Sequence, residues 1–138
     1  MAKTAIIAGA TGLIGKFCLS YLLMDKNYQK VIVITRTPLP IKDEKIENIV
    51  CEFEQLSNYS SKLIADDVFC CLGTTIKDAG SKEAFYKVDF EYVITLAKMA
   101  YENGCRNFAF ISSMGANKSS SLFYNKTKGE VEEAIKSI

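Results

Sequence analysis

Residues 9–15 read Gly-Ala-Thr-Gly-Leu-Ile-Gly, and they join an apolar run, residues 3–8, to the start of a helical pattern. A strand that breaks into a helix through three glycines at this spacing has little freedom. The chain must turn sharply, a bound group must be able to approach its backbone, and the new helix must pack against the strand it has just left. Gly9, Gly12 and Gly15 meet these three demands. The unpaired N–H groups at the start of the helix then face an anion with the positive end of the helix dipole behind them. The reading is a dinucleotide-binding turn, with an ordinary glycine-rich strand-to-helix turn as the alternative, because the spacing is GxxGxxG rather than GxGxxG. A phosphate loop of the GxxxxGK[ST] kind is excluded, since its first glycine and final hydroxyl positions hold Ala10 and Phe17.

The chain of 138 residues, 49% hydrophobic with two prolines, suits one compact domain with a real core. Its 17 basic and 16 acidic residues leave a net charge of +1, so nothing favours nucleic acid or a charged membrane surface. No apolar run approaches the roughly 20 residues of a membrane-spanning helix, and the first residues do not read as a signal peptide. A cytoplasmic protein is expected. Five cysteines without CxxC spacing read as reduced core residues. Histidine is absent, which removes Ser-His and Cys-His catalysis and argues against a metal site of the usual kind.

Strand-like and helical patterns alternate along the chain. After the strand at 3–8, the helical spacing of Ile14, Phe17, Cys18, Tyr21 and Leu22 suggests one buried face. A continuously apolar second strand covers 30–35, as in a parallel sheet covered on both sides, and Thr37-Pro38-Leu39-Pro40 ends it. A third strand is expected at 47–51, a short helix at 53–59 and a fourth strand at 67–72. A long helix follows over 82–103, with Phe85, Val88, Asp89, Tyr92, Val93, Leu96, Met99 and Ala100 spaced for burial and Gly104 at its end. A fifth strand at 107–112 and a helix from Leu122 onward, carrying Val131, Ala134, Ile135 and Ile138, complete the pattern. This is a doubly wound α/β fold with a parallel sheet of order 3-2-1-4-5, its ligand lying across the C-terminal edge of the strands.

Three places carry chemistry. Where NAD-specific domains end the second strand in an acid that binds the ribose 2′-hydroxyl, this chain has Arg36. A guanidinium cannot accept from that hydroxyl but grips a 2′-phosphate through paired charge-assisted bonds, which favours NADPH over NADH. A solvated strand-end arginine is the plainer alternative. Tyr124 and Lys128 lie four residues apart on one helix face. A nearby ammonium and a helix N-terminus both favour phenolate over phenol, so the pair suits acid-base work, and the lysine can also hold a ribose. Ser112 and Ser113 end the fifth strand, where a hydroxyl could polarise a carbonyl, although turn-forming or capping chemistry explains a serine there equally well.

The turn GATGLIG, Arg36, Cys70-Cys71-Leu72-Gly73-Thr74-Thr75, Ser112-Ser113-Met114-Gly115-Ala116 and Tyr124-x-x-x-Lys128 together resemble an atypical short-chain dehydrogenase/reductase. CCLGTT, SSxGA and YxxxKGEVE, the last running from Tyr124 to Glu132, are similar to the HIV Tat-interactive oxidoreductase-like group and its bacterial relatives. The resemblance covers essentially the whole chain. It implies an NADP(H)-binding Rossmann domain with a Ser-Tyr-Lys active site, in which Thr11, Gly12, Leu13 and Ile14 contact the pyrophosphate, Arg36 and Thr37 the 2′-phosphate, and Leu72, Gly73 and Thr74 the ribose side. Tyr124 would be the acid-base residue, Lys128 its partner, and Ser112 or Ser113 the polarising hydroxyl. Family members continue beyond the Tyr-Lys helix, so a substrate-binding part is expected to be missing here. The uncovered edge of the fifth strand, or its helix, is then expected to make an oligomer contact. Two functions compete: an NADP(H)-dependent oxidoreductase acting on a carbonyl or alcohol, and a non-catalytic NADP(H)-binding module that signals redox state to a protein partner. An epimerase or dehydratase holding NAD is disfavoured by Arg36.

Overall fold

The computed structural model describes residues 2–74, 76–112 and 116–138. Five strands, β1 (Lys3–Ala8), β2 (Tyr28–Thr35), β3 (Ile46–Val50), β4 (Asp67–Cys70) and β5 (Asn107–Phe110), pair in parallel in the order β3-β2-β1-β4-β5. The expected fold and strand order are therefore present. The connections place α1 (Leu13–Met24) between β1 and β2 and a 3₁₀ segment (Phe53–Lys62) between β3 and β4. Between β4 and β5 run α2 (Ile76–Ala79), α3 (Lys82–Tyr86), a π-helical turn (Lys87–Tyr92) and α4 (Val93–Glu102), and α5 (Phe123–Lys136) follows β5.

Strand alternation sorts the core into two layers. Ile6, Ala8, Ile32, Ile34, Val68 and Cys70 meet Leu96, Met99, Ala100 and Val131 of α4 and α5 on one face. Ala5, Ile7, Val31 and Val33 meet Leu19 and Leu22 of α1 on the other. The expected buried face of α1 is corrected here. Gly15, Leu19 and Leu22 are buried, whereas Ile14, Phe17 and Tyr21 are 53%, 62% and 70% exposed. The cause is Gly15, which sits against the backbone of Gly9 and so turns its own side of the helix to the sheet, carrying positions four and seven further on inward with it.

The long helix expected at 82–103 is continuous in direction but changes winding at Lys87–Tyr92, and Gly104 ends it at φ +79°. Phe85, Asp89, Val93, Leu96, Met99 and Ala100 are buried as the spacing implied, while Val88 and Tyr92 are half-buried.

At the N-terminal edge of the sheet, away from the glycine turn, Asp67 is buried and accepts from Tyr28 Oη at 2.5 Å, Lys3 Nζ at 2.9 Å and Asn107 Nδ2 at 2.8 Å. Burial alone would raise this carboxyl, but the Tyr28, Asn107 and Lys3 bonds hold it below its ordinary value. Burial and the neighbouring carboxylate push the Tyr28 phenol up to about 12. The two shifts have opposite signs. The Asp67 contribution is present above the unfolded carboxyl pKa and is lost as pH falls through the lower folded value. The Tyr28 contribution is present below the unfolded phenol pKa and is lost as pH rises through about 12. Tyr28→Phe is expected to cost about 2 kcal/mol at neutral pH, the scale of a hydrogen bond to a charged group, measured by urea unfolding. It should also flatten the alkaline limb of the stability curve; an unchanged limb would show that Tyr28 does not control it.

Candidate functional site

The C-terminal ends of β1 and β4 meet at the glycine turn. Gly9 has φ +81°, and a Cβ there would lie 2.5 Å from the Cys71 carbonyl carbon. A Cβ on Gly15 would lie 1.9 Å from the Gly9 carbonyl oxygen. These two glycines are required by the fold. Gly12 is different: its Cβ would meet nothing closer than the Gly9 oxygen at 3.6 Å, and its φ of −76° suits any residue. It begins a twelve-residue helix whose N-cap makes no side-chain capping bond and whose first turn holds no acidic residue. Thr11, Gly12, Leu13 and Ile14 are all exposed around this opening. An open glycine at an uncapped helix start, with a cleared backbone behind it, fits a dinucleotide pyrophosphate.

Arg36 and Thr37 are exposed just beyond the end of β2, and no hydrogen bond or ion pair holds the Arg36 side chain among the described residues. At the end of β4, Leu72 is half-buried and Gly73 exposed, and the Thr74 N–H donates to Asp89 Oδ2 at 3.1 Å.

The sequence marks Asp89 only as a buried helix position. Its side chain is fully buried and its Oδ1 accepts from Lys128 Nζ at 2.6 Å, with the lysine side chain only 2% exposed. Burial holds the Asp89 carboxyl above its ordinary value, the Lys128 pair and the Thr74 N–H offsetting only part of the rise. The acid lies within the π-helical turn, a winding that is rare and concentrated at functional sites. One carboxylate thus ties together the segment after β4, the long helix and α5. An acidic residue among seven apolar or aromatic positions at helical spacing was the available signal, because a buried charge requires a partner.

Tyr124 and Lys128 are brought together, through the ring rather than the hydroxyl: Lys128 Nζ lies 5.6 Å from the Tyr124 ring centroid. The ring of buried Phe85 also packs on Tyr124, with the ring centroids 5.4 Å apart. Ser112 donates its hydroxyl to Glu132 at 2.6 Å, and Ser113 lies outside the described residues, as does Thr75. The remaining letters of YxxxKGEVE now have physical roles. A Cβ on Gly129 would come within 2.1 Å of the Lys118 nitrogen and 2.3 Å of the Asn117 carbonyl carbon, Val131 is a core residue, Glu130 accepts from Tyr86 at 3.4 Å, and Glu132 holds Ser112.

The cysteines beside the site are not poised as nucleophiles. Burial pushes both the Cys70 and the Cys71 thiol up to about 12, so they remain protonated near neutral pH.

Residues 5–132 match the NAD dependent epimerase/dehydratase family. The chain belongs to that family. Within it the sequence is an atypical short-chain dehydrogenase/reductase: it is 40% identical over 140 residues to Protein HTATIP2 of Rattus norvegicus, covering 99% of this chain and 57% of the relative. It is 37% identical over 131 residues to the mitochondrial protein FMP52 of Eremothecium gossypii, covering 95% and 58%. The chain therefore spans a little over half the length of these family relatives. Among solved structures, the Bordetella bronchiseptica enzyme WbmG, in complex with NAD, superposes with a TM-score of 0.80 at 13% identity, over 99% of this chain and half of that one. A short-chain dehydrogenase family protein of Francisella tularensis gives 0.76 at 20% identity, over 99% and 62%. At such identities the likeness is one of fold. No helix among the described residues is long and apolar enough to cross a membrane.

Proposed function

We propose that the chain binds NADP(H) across the C-terminal edge of its sheet and serves an oxidoreductase that interconverts a carbonyl and an alcohol. The observation that carries the reading is an unbroken line of contacts: Gly9 against Cys71, the Thr74 N–H on Asp89, Asp89 on Lys128, and Lys128 beneath the Tyr124 ring. The phosphate-binding turn and the proton-transfer pair are thereby parts of one site. In this reading Gly9, Thr11, Gly12, Leu13, Ile14 and Gly15 form the pyrophosphate cradle. Arg36 and Thr37 take the 2′-phosphate, Leu72 to Thr74 line the ribose side, and Lys128 holds the nicotinamide ribose.

A bound nicotinamide supplies or accepts the hydride. Tyr124 gives its hydroxyl proton to the carbonyl oxygen during reduction and takes it back during oxidation. The polarising hydroxyl is that of Ser112, which would turn from Glu132 to the substrate, or that of Ser113. Tyr124→Phe is expected to lower turnover of aldehydes or ketones with NADPH by about 100-fold or more, on the scale of a lost general acid, with the nucleotide Kd unchanged within about twofold. Equal turnover by the two proteins would remove Tyr124 as the proton donor. Tight NADPH binding without turnover across such a panel would instead point to the redox-sensing module.

A further inference from the structure

The loop that carries Arg36 is latched at both ends by a single side chain on the neighbouring strand. Asn48 of β3 stands opposite Val33 of β2, and its Nδ2 donates to the Val33 carbonyl and to Thr35 Oγ1, each at 2.9 Å. Its Oδ1 accepts from the Leu39 N–H at 2.9 Å. Thr35 is the last residue of β2 and Leu39 packs on the core beneath α1, so the two anchors bracket Arg36, Thr37 and Pro38, all of them exposed. Both amide protons and the oxygen of Asn48 are thus engaged in holding this loop, nearly the full capacity of the group. Pro38 and Pro40 restrict the backbone between and beyond the anchors.

We infer that Asn48 is a specificity-determining residue for the dinucleotide, acting through Arg36 as a positioning residue. This rests on the reading of Arg36 as the 2′-phosphate ligand. With Thr35 and Leu39 both bonded to Asn48, the Arg36 backbone between them is held by contacts within the protein, so binding a 2′-phosphate need not meet the full cost of ordering three loop residues as well as the guanidinium. NADH gains nothing from that order, because its 2′-hydroxyl offers no anionic group to the guanidinium. The latch therefore favours one nucleotide rather than strengthening both.

The test is the ratio of NADH to NADPH dissociation constants in the wild type, Asn48→Ala, Arg36→Ala and the double variant, together with the hydrogen-exchange rate of the Leu39 amide. Asn48→Thr is measured alongside, because threonine suits a strand and folds there while its hydroxyl cannot span from Val33 to Leu39. With either change at Asn48, Leu39 exchange is expected to rise about tenfold or more and the ratio to fall roughly five- to tenfold through weaker NADPH binding alone. In the Arg36→Ala background the change at Asn48 is expected to add little. A faster-exchanging Leu39 with the ratio intact would overturn the inference, as would equal weakening of both nucleotides. A wild type without NADPH preference, or one whose preference survives Arg36→Ala, would overturn the cofactor reading and this inference with it.

Discussion

Asp89→Ala is expected to cost about 3 to 5 kcal/mol of folding stability, the range for breaking a buried ion pair from one side. The carboxylate is fully buried, its partner ammonium is 2% exposed, and removing the acid takes the opposite charge from that ammonium and one hydrogen bond from the Thr74 N–H. Asp89→Asn, which keeps the shape and an oxygen for Thr74, should still be strongly destabilised, because the charge is the part that it removes. Replacing both partners by apolar residues, Asp89→Leu with Lys128→Met, is expected to recover most of the loss, since two buried charges vanish together. Urea unfolding of the three variants measures this directly. A cost below about 1 kcal/mol for Asp89→Ala would mean that water reaches the pair and that it behaves as a surface salt bridge. The double variant would be stable but is expected to bind dinucleotide poorly, because Lys128→Met removes the ammonium proposed to hold the ribose.

Gly15→Ala should have an effect of similar size at the other end of the site. Its methyl would fall 1.9 Å from the Gly9 oxygen, 2.8 Å from the Gly9 carbonyl carbon and 2.9 Å from the Ala10 Cα, all of them backbone atoms that cannot swing aside. The helix must shift or the turn must open, at an expected cost of about 3 kcal/mol or more, the upper end of overpacking effects. Nucleotide binding should fall with it. Gly12→Ala makes the informative contrast, because its methyl meets only an oxygen at 3.6 Å. Its stability should change by less than about 1 kcal/mol, while its NADPH affinity should fall at least tenfold if the pyrophosphate approaches that Cα. Thermal unfolding and titration of the two variants separate the glycine that the fold needs from the glycine that the ligand needs. An unaltered affinity in Gly12→Ala would place the phosphates elsewhere.

Much of the fold was legible because parallel strands buried on both faces leave continuous apolar runs such as residues 30–35, and because the glycine turn identifies the first strand and so sets the strand order. The buried face of α1 is not legible in the sequence, for a physical reason. That helix carries apolar residues all around, so periodicity could not orient it, and a contact at one small residue, Gly15, decided instead. Asp89 was visible as an inward-facing position but not as the partner of Lys128, since the pair joins residues 39 apart through a π-helical turn that leaves no pattern in the sequence. Ser112 and Ser113 read alike in the sequence because both stand at the end of one strand, and the bond from Ser112 to Glu132 joins residues 20 apart. Asn48 gave no signal at all, because its meaning lies in the three groups around it.

In the function we propose, the glycine turn and Arg36 hold one end of a dinucleotide while Lys128 and Tyr124 attend the other. Parallel titration of the purified chain with NADPH and NADH, followed by nicotinamide fluorescence and repeated with Arg36→Ala, tests it most directly. The expected result is saturable binding of both nucleotides with NADPH about tenfold or more tighter, the scale of a charge-assisted phosphate contact, and loss of that preference in the variant with NADH binding retained. Failure of either nucleotide to bind, or a preference indifferent to Arg36, would contradict the account.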